Sequence, residues 1–312
     1  MKQWVQHDRE LFLWELLRLE GNMSPHNPLC SSCHTRPHQY RCSICFGDQV
    51  LCKECIVEAH RTNPLHYVEK WNGIYYERTN LKTLGLRIQL NHPLSEQCFN
   101  HKRAPGDDFI IIDSLGVHEV GLDFCECERA PSHATQLLRA HLYPATGIYP
   151  KTAATFQVLQ QFHLLSFESK CSGYEFYNSL ERLMDNVGGG RRDRYNEFMR
   201  IVRQWRHLKM LKRTGRAHDP EGIEETKPGQ CALLCPACPQ PGINLSPNWE
   251  SSPESERWLT ALFLGIDANF RMTRKHVSSE EHDPSLGPGW AFFVEETSYK
   301  KYLAENWDKK QD

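Results

Sequence analysis

The cysteines of this chain, 13 in number, have a spacing that could do chemistry. Three C-x2-C pairs and then a histidine pair lie within one short stretch: Cys30 with Cys33, Cys42 with Cys45, Cys52 with Cys55, and His60 with His66. A C-x2-C turn holds two thiolates within about 4 Å, which supplies two corners of a zinc tetrahedron. Four pairs therefore predict two closed structural zinc sites. The alternative is a set of unrelated thiols and surface histidines.

The order of the pairs predicts an interleaved arrangement. The ligands predicted for one ion are Cys30, Cys33, Cys52 and Cys55, and those for the other are Cys42, Cys45, His60 and His66. This order resembles the cross-braced B-box and its relatives. Because B-box-like modules vary their second pair, His34 and His38 are alternative ligands.

A third zinc site is predicted around the segment FIIIDSLGVHEVGLDF. Alternation on both sides of its D-S-L-G predicts a β-hairpin with the turn near Asp113 to Gly116. The hairpin would bring a C-x2-H pair and a C-x-C pair to one end of the strands: Cys98 with His101, and Cys125 with Cys127. The alternative is that these cysteines are buried thiols.

A further C-x2-C turn lies in CALLCPACPQPGINL, which contains Cys231, Cys235 and Cys238. It predicts another metal site whose remaining ligands are unassigned. Candidates are His207 or His218, or Cys125 with Cys127. Cys171 stands alone in a helical pattern and is predicted to lie in the core.

A basic segment is the strongest sign of a polyanionic partner. Residues 191–216 contain ten Arg or Lys and two acidic residues, a net charge of +8 in a chain whose formal charge is −2. The predicted nucleic-acid-binding residues recur at helical spacing: Arg200, Arg203, Arg206, Lys209, Lys212, Arg213 and Arg216. Ile201, Val202, Trp205, Leu208 and Leu211 are predicted to form the buried side. A solvated helix face is the alternative interpretation.

Several of these motifs together resemble one kind of protein, the Kyakuja-Dileera-Zisupton (KDZ) transposases, in which a cysteine cluster precedes an RNase H-like catalytic domain. The resemblance rests on LCKECIVEAHRTNPLHYVEKWNG, FCEC, QLLRAHLYPAT, PKTAATFQVLQQFHLLSFESKCSGYEFYNSLERLMDNVG, RQWRHLKMLKRTGRAHDPEG, CPACPQPGINL and IDANFRMTRK. It implies that Asp267 is the first acid of the family's metal-binding triad, on the first strand of that domain. A two-ion site needs several carboxylates, so Mg²⁺ is expected only where a complete catalytic site forms.

The later acids of the triad are expected beyond Asp312, which makes Asp267 vestigial in this interpretation. GWAFFVEE, residues 289–296, is predicted to be a following strand, in which Glu295 and Glu296 have no assigned role.

The predicted fold class is α+β, in five pieces. They are an N-terminal amphipathic helix (1–22), a B-box-like double-zinc module (23–75), a β-hairpin cysteine element (91–130), a mainly helical region with the basic helix and the CPAC turn (131–245), and a truncated RNase H-like start (255–312). Residues 91–245 together are the expected KDZ-associated cysteine cluster domain.

The predicted function is a transposase-derived, zinc-binding protein that binds DNA without strand-transfer activity of its own. RNA is equally compatible with the basic helix. The alternatives are a B-box-like protein-interaction module with self-association, and a fragment of an active transposase. No small-molecule substrate is expected. A nuclear location is expected from the resemblance, and no apolar run is long enough to predict a membrane span or a secretory signal.

Overall fold

The computed structural model describes residues 1–22, 27–185, 193–265, 279, 281 and 283–306. It contains α-helices together with two β-sheets, which confirms the predicted α+β class. The chain divides into two compact units, Met1–Trp205 and Arg206–Asp312. Among the helices in the described ranges, none is long and apolar enough to cross a membrane.

The first unit begins with a π-helical turn (Trp4–Asp8) that continues into α1 (Arg9–Glu20). The predicted N-terminal helix is therefore present, but its apolar residues do not share one face. Leu11, Phe12 and Leu13 are consecutive and thus about 100° apart around the helix. The apolar side chains are spread around α1, unlike the predicted amphipathic pattern, and none of its twelve residues is buried.

A small antiparallel sheet follows, with strand order β2-β1-β3-β4. Its elements are β1 (Tyr40–Arg41), β2 (Val50–Leu51), α2 (Lys53–Ala59), β3 (Val68–Trp71) and β4 (Tyr76–Thr79). Its core contains three of the paired cysteines, Cys30, Cys42 and Cys52, together with Ile56 and Val68. The other buried members of this core include Leu51, Leu81 and Leu86, so cysteines and apolar side chains together hold this module.

A second sheet has six strands in the order β5-β8-β7-β10-β9, and β6 also pairs with β8. Its elements are β5 (Arg87–Gln89), β6 (His101–Arg103), β7 (Phe109–Asp113), β8 (Gly116–Cys125), α3 (His133–Arg139), β9 (Leu142–Pro144) and β10 (Thr152–Thr155). The hairpin β7–β8 pairs Asp113 with Gly116, which confirms the predicted turn. Asp113 accepts hydrogen bonds from Leu115 N (3.2 Å) and Thr155 Oγ1 (2.7 Å), as a turn residue does.

Both faces of this sheet are covered, which explains the apolar run FIIID. All five residues of β7 are buried. Ile110 and Ile112 contribute to one core cluster, and Phe109 and Ile111 contribute to another. A strand buried on both faces reads as a continuous apolar run.

Three helices pack on one face of the sheet: α4 (Phe156–Glu168), α5 (Gly173–Met184) and α6 (Tyr195–Arg213). The α4 helix begins at Thr155, whose hydroxyl accepts from Val158 N, and α5 begins with a capping box between Ser172 and Glu175. Cys171 packs against this core, in line with its prediction.

The sequence overestimated the helical content of residues 131–218. Two strands, β9 and β10, interrupt the helices, and β10 pairs in parallel with β7. The first three residues of β10, TAA, are buried, and the strand is short, so it shows no polar–apolar alternation.

The second unit contains 3-10 helical segments at Arg216–His218, Trp249–Ser251 and Glu254–Thr260, and α7 (Glu296–Asn306). The strand predicted at residues 289–296 is wrong. Residues 289–295 are irregular, and Glu296 begins α7. Glu295 caps that helix by accepting from Thr297 N and Ser298 N (both 2.7 Å), and these amides lower its pKa to about 2, Ser298 N most of all.

Candidate metal centres

The four-cysteine group consists of Cys30, Cys33, Cys52 and Cys55, which the sequence placed around one ion. Their sulfur atoms all lie within 4.8 Å of one another. The Cys33 and Cys52 sulfurs are 3.9 Å apart. A tetrahedron with zinc–sulfur bonds of about 2.3 Å has sulfur–sulfur edges of about 3.8 Å. The group therefore fits a tetrahedral ion of the size of zinc.

The Cys2His2 group consists of Cys42, Cys45, His60 and His66, the second predicted set, and its ligand atoms also lie within 4.8 Å of one another. The Cys45 sulfur is 3.4 Å from His60 Nε2 and 3.3 Å from His66 Nδ1. A mixed tetrahedron with the usual zinc–sulfur and zinc–nitrogen bonds has edges of about 3.5 Å. These residues too fit a tetrahedral ion.

The α2 helix connects the two groups. Cys52 is its N-cap residue and Cys55 lies in its first turn, whereas His60 is its C-cap residue. One short helix thus carries ligands of both groups, which produces the interleaved order that the sequence indicated.

His60 is oriented by its own helix. Its Nδ1 lies 2.7 Å from the Ile56 carbonyl oxygen, so an N–H on Nδ1 donates to that oxygen and leaves the Nε2 lone pair facing Cys45. A bond of this kind from the far ring nitrogen is typical of histidines that bind metal.

The His92 group, the third, consists of His92, Cys98, Cys125 and Cys127. The Cys98 and Cys127 sulfurs are 3.7 Å apart, and His92 Nε2 lies 3.2 Å from the Cys125 sulfur and 3.8 Å from that of Cys127. These distances again match a tetrahedral site with one nitrogen and three sulfur ligands. Three of the four residues are those predicted for the third site.

The fourth member is His92, where the sequence indicated His101. His101 lies on β6 with its Nδ1 3.0 Å from the Cys98 carbonyl oxygen, and it is not a member of the group. Sheet topology explains the choice of His92. Since β5 runs parallel to β8 and pairs Gln89 with Asp123, residues just beyond β5 reach the end of β8, where Cys125 lies. Asn91, with φ of 63°, turns the chain there.

His34 and His38, the alternative ligands suggested for the double-zinc module, belong to neither of its two groups. His34 is exposed, and the ring of His38 is hydrogen-bonded to the Asn27 carbonyl oxygen at 3.0 Å. Neither belongs to any of the three groups found in the described residues.

The thiols within each group have opposed pKa shifts. The Thr35 hydroxyl, together with the amides of Thr35 and Arg36, lowers the pKa of Cys33 to about 5, whereas the neighbouring Cys52 sulfur raises that of Cys55 to about 12. In the His92 group, the sulfurs of Cys125 and then Cys98 raise the pKa of Cys127 to about 11. Sulfurs crowded in this way cannot all ionise alone, and a divalent cation would remove their mutual repulsion.

The cysteines of the second unit form no such group among the described residues. Cys231 is buried, and its sulfur accepts a hydrogen bond from the Thr214 hydroxyl at 3.4 Å. Cys235 is exposed and Cys238 is half-buried. The proposed partners Cys125 and Cys127 belong to the His92 group, and His207 and His218 are in no group within the described ranges.

Most of the predicted basic residues are exposed. This holds for six of the seven, Arg200, Arg203, Arg206, Lys209, Lys212 and Arg213. Arg216 is an exception, because it is buried and donates to Thr226 Oγ1 (3.0 Å) and to the Gly222 carbonyl oxygen (3.2 Å), and pairs with Asp219.

The apolar side of the same helix is as predicted at four of five positions. Ile201, Val202 and Leu211 are buried and Trp205 is half-buried, but Leu208 is 42% exposed.

The predicted catalytic Asp267 lies outside the described residues. Residues 261–265, which precede it, are described and have no regular secondary structure. The predicted RNase H-like start therefore stays a prediction.

Residues 81–188 match the family model described as the CxC2 like cysteine cluster associated with KDZ transposases. Residues 81–188 are a KDZ-associated cysteine cluster domain. No curated protein and no solved structure gave a match to the chain.

The CxC2 domain holds the whole His92 group and the six-stranded sheet. Its matched range includes β5, which pairs with the second strand of the hairpin, β8. The four-cysteine and Cys2His2 groups precede the matched range, and α6 with its basic residues follows it.

Proposed function

We propose that this chain is a zinc-stabilised DNA-binding protein associated with transposition, in which the CxC2 domain positions the basic helix α6. Six basic residues of α6 are exposed, while the other side of the helix is packed in the protein core, and this arrangement supports the proposal. Phe198, Ile201 and Val202 of α6 belong to the same core cluster as residues of β7, α4 and α5. Binding to the phosphate backbone requires cations held in a fixed arrangement, and an anchored helix supplies one.

The basic residues wind around α6 instead of forming a straight row. Arg200, Arg203, Arg206 and Lys209 are three positions apart, and each such step shifts the direction by about 60° because one turn takes 3.6 residues. Cations distributed in this way can contact several phosphates, and such contacts fix a protein's orientation on a duplex. The band carries no groups that single out DNA from RNA, and the choice of DNA rests on the transposase association of the CxC2 domain.

Zinc is the ion proposed for the three groups. Sulfur and imidazole ligands in a tetrahedral arrangement are typical of structural zinc sites, and all twelve ligands are Cys or His. Closed sites of this kind support folding, so the proposal is limited to binding and assigns the chain no strand-transfer step of its own. A nuclear location belongs to the same proposal, because it follows from DNA as the partner.

The test removes three charges from α6. Arg203, Arg206 and Lys209 are changed together to Gln, and the control changes Arg139, Lys151 and Lys301 to Gln, which are also exposed and carry the same total charge. Binding to a labelled duplex is measured by fluorescence anisotropy over a series of salt concentrations. We expect the first variant to reduce the slope of log affinity against log salt by about 1 for each residue that contacts phosphate, and the control to leave it unchanged.

Equal effects of the two triple variants would contradict the proposal, because net charge alone would then explain binding. The same comparison with a duplex RNA and a single-stranded DNA would show which nucleic acid is preferred.

A second candidate function is protein interaction through the N-terminal helix. Leu13, Trp14 and Leu16 of α1 are 55–63% exposed, and a group of exposed large apolar side chains often marks a protein-interaction surface. In this case Leu13→Asp with Leu16→Asp reduces association of the chain in sedimentation experiments, while the triple Gln variant of α6 leaves it unchanged.

A further inference from the structure

The C-x2-C turn of Cys235 and Cys238 has the features of half a metal site. Both residues reach the surface of the second unit, and they belong to none of the three groups in the described part of the chain. Cys231 does not extend the pair to a third ligand, since it is buried and its sulfur accepts from the Thr214 hydroxyl.

The turn is held in place by two polar side chains. The Asn244 amide donates to the Cys238 carbonyl oxygen (2.8 Å) and to that of Pro236 (3.2 Å), and its own oxygen accepts from Gln240 N (2.7 Å). Gln240 also donates to the Cys235 carbonyl oxygen. A loop fixed in this way has little conformational freedom left to lose when it binds.

We infer that two copies of this chain share one zinc ion, bound by Cys235 and Cys238 of each copy. A structural zinc ion takes four ligands, and one turn offers two. A two-fold axis through the ion would bring the same pair from each copy together, as a symmetric dimer requires. This inference concerns assembly and does not depend on DNA binding.

The surroundings of the turn suit contact with an identical surface. Leu233, Leu234 and Ile243 are 56–70% exposed beside the pair. The sequence has no charged residue between Lys227 and Glu250, so two copies could approach without repulsion between like charges. Association around the ion would remove these three apolar side chains from water.

The test compares the full chain with a Cys235→Ser and Cys238→Ser double variant, and with Cys171→Ser as a control that lies outside every group. Each protein is purified with zinc and a phosphine reductant, so that disulfides cannot form. Mass is measured by light scattering after size exclusion, and zinc content by elemental analysis. Circular dichroism checks that the double variant stays folded.

We expect the unchanged chain and the Cys171 variant to be dimers that become monomers when a chelator removes the shared ion. The double variant should be a monomer that loses one zinc ion for every two chains and keeps its other zinc. A dimer that persists in the double variant would overturn the inference. A monomeric unchanged chain would also overturn it, and an additional whole ion in that monomer would show that the site is completed within one chain.

Discussion

At the scale of single residues, the sequence indicated the groupings of candidate ligands whose members form pairs a few positions apart. A C-x2-C turn brings two sulfurs together by local geometry alone, and α2 then places Cys52 and His60 in different groups. His92 could not be found in this way. It reaches Cys125 only because β5 and β8 pair in parallel, and no local spacing encodes that pairing. His101 was the nearer candidate in sequence, but its ring is hydrogen-bonded to the Cys98 carbonyl oxygen.

This assignment predicts opposite results for two histidine substitutions. His92→Ala removes the only nitrogen ligand of its group, so we expect the purified chain to lose one zinc ion while the other groups keep theirs. His101→Ala should leave the zinc content unchanged. Native mass spectrometry of both variants gives the measurement. Loss of the ion from the His101 variant instead would mean that the ring of His101 rotates into the site when metal binds.

Acid should release the metal from all three groups. Cysteine and histidine bind zinc only after losing their protons, so each ion competes with protons and affinity falls as pH falls. Neighbouring sulfurs raise the pKa of Cys55 to about 12 and that of Cys127 to about 11, so both thiols hold their protons at neutral pH unless a cation offsets the repulsion. Zinc release against pH, followed with a colorimetric chelator, should rise steadily below neutrality. Retention of all zinc in strong acid would exclude thiolate ligation.

At the scale of secondary-structure elements, the hairpin was predictable and some strands were not. The D-S-L-G sequence predicted the β7–β8 hairpin because turn residues specify the bend locally. The strands β9 and β10 are short, and the first three residues of each are buried, so they carry no alternation that the sequence would show. GWAFFVEE is apolar enough to suggest a strand, but Glu295 caps α7 there.

The hairpin turn predicts a large effect of one glycine. Gly116 has φ of 140°, and a Cβ there would lie 2.3 Å from Met184 Cγ on α5. We expect Gly116→Ala to reduce the free energy of unfolding by about 1–3 kcal/mol, because alanine is strained at this φ and the Met184 side chain must move away from the added methyl group. Gly147→Ala is the control, since no atom lies within 4 Å of its added Cβ. Urea unfolding of the zinc-loaded proteins gives both values, and equal stabilities would argue against this packing of α5 on the turn.

At the scale of the whole molecule, metal and charge are distributed unevenly. Three buried cysteines belong to the core of the double-zinc module, and a second core extends from the CxC2 domain to α6. The charge of the basic segment is visible in the sequence, but its anchoring to that core is not. Phe198, Ile201 and Val202 share the core with residues as far back in the chain as Ile110, and no local pattern encodes such contacts. The burial of Arg216 was not visible in the sequence either. It was predicted to bind nucleic acid, but it is buried and donates a hydrogen bond to Thr226.

The distribution of cysteines predicts that zinc removal unfolds the first module. A core that contains Cys30, Cys42 and Cys52 loses its cross-links without metal, and closed zinc sites contribute directly to folding. Hydrogen exchange measured with and without a chelator should show the protection of β1–β4 disappearing. Protection that survives complete removal of zinc would mean that the apolar side chains of this module suffice.

The proposal that α6 binds DNA is tested most directly by the affinity of the zinc-loaded chain for duplex DNA over a series of salt concentrations. If the exposed cations of α6 contact phosphates, affinity falls steeply as salt rises, with a slope of about −0.9 for each phosphate neutralised. Because six basic residues of α6 are exposed, α6 contributes at most six phosphate contacts to that slope. A zinc-loaded, folded chain that binds no DNA at low salt would contradict the account.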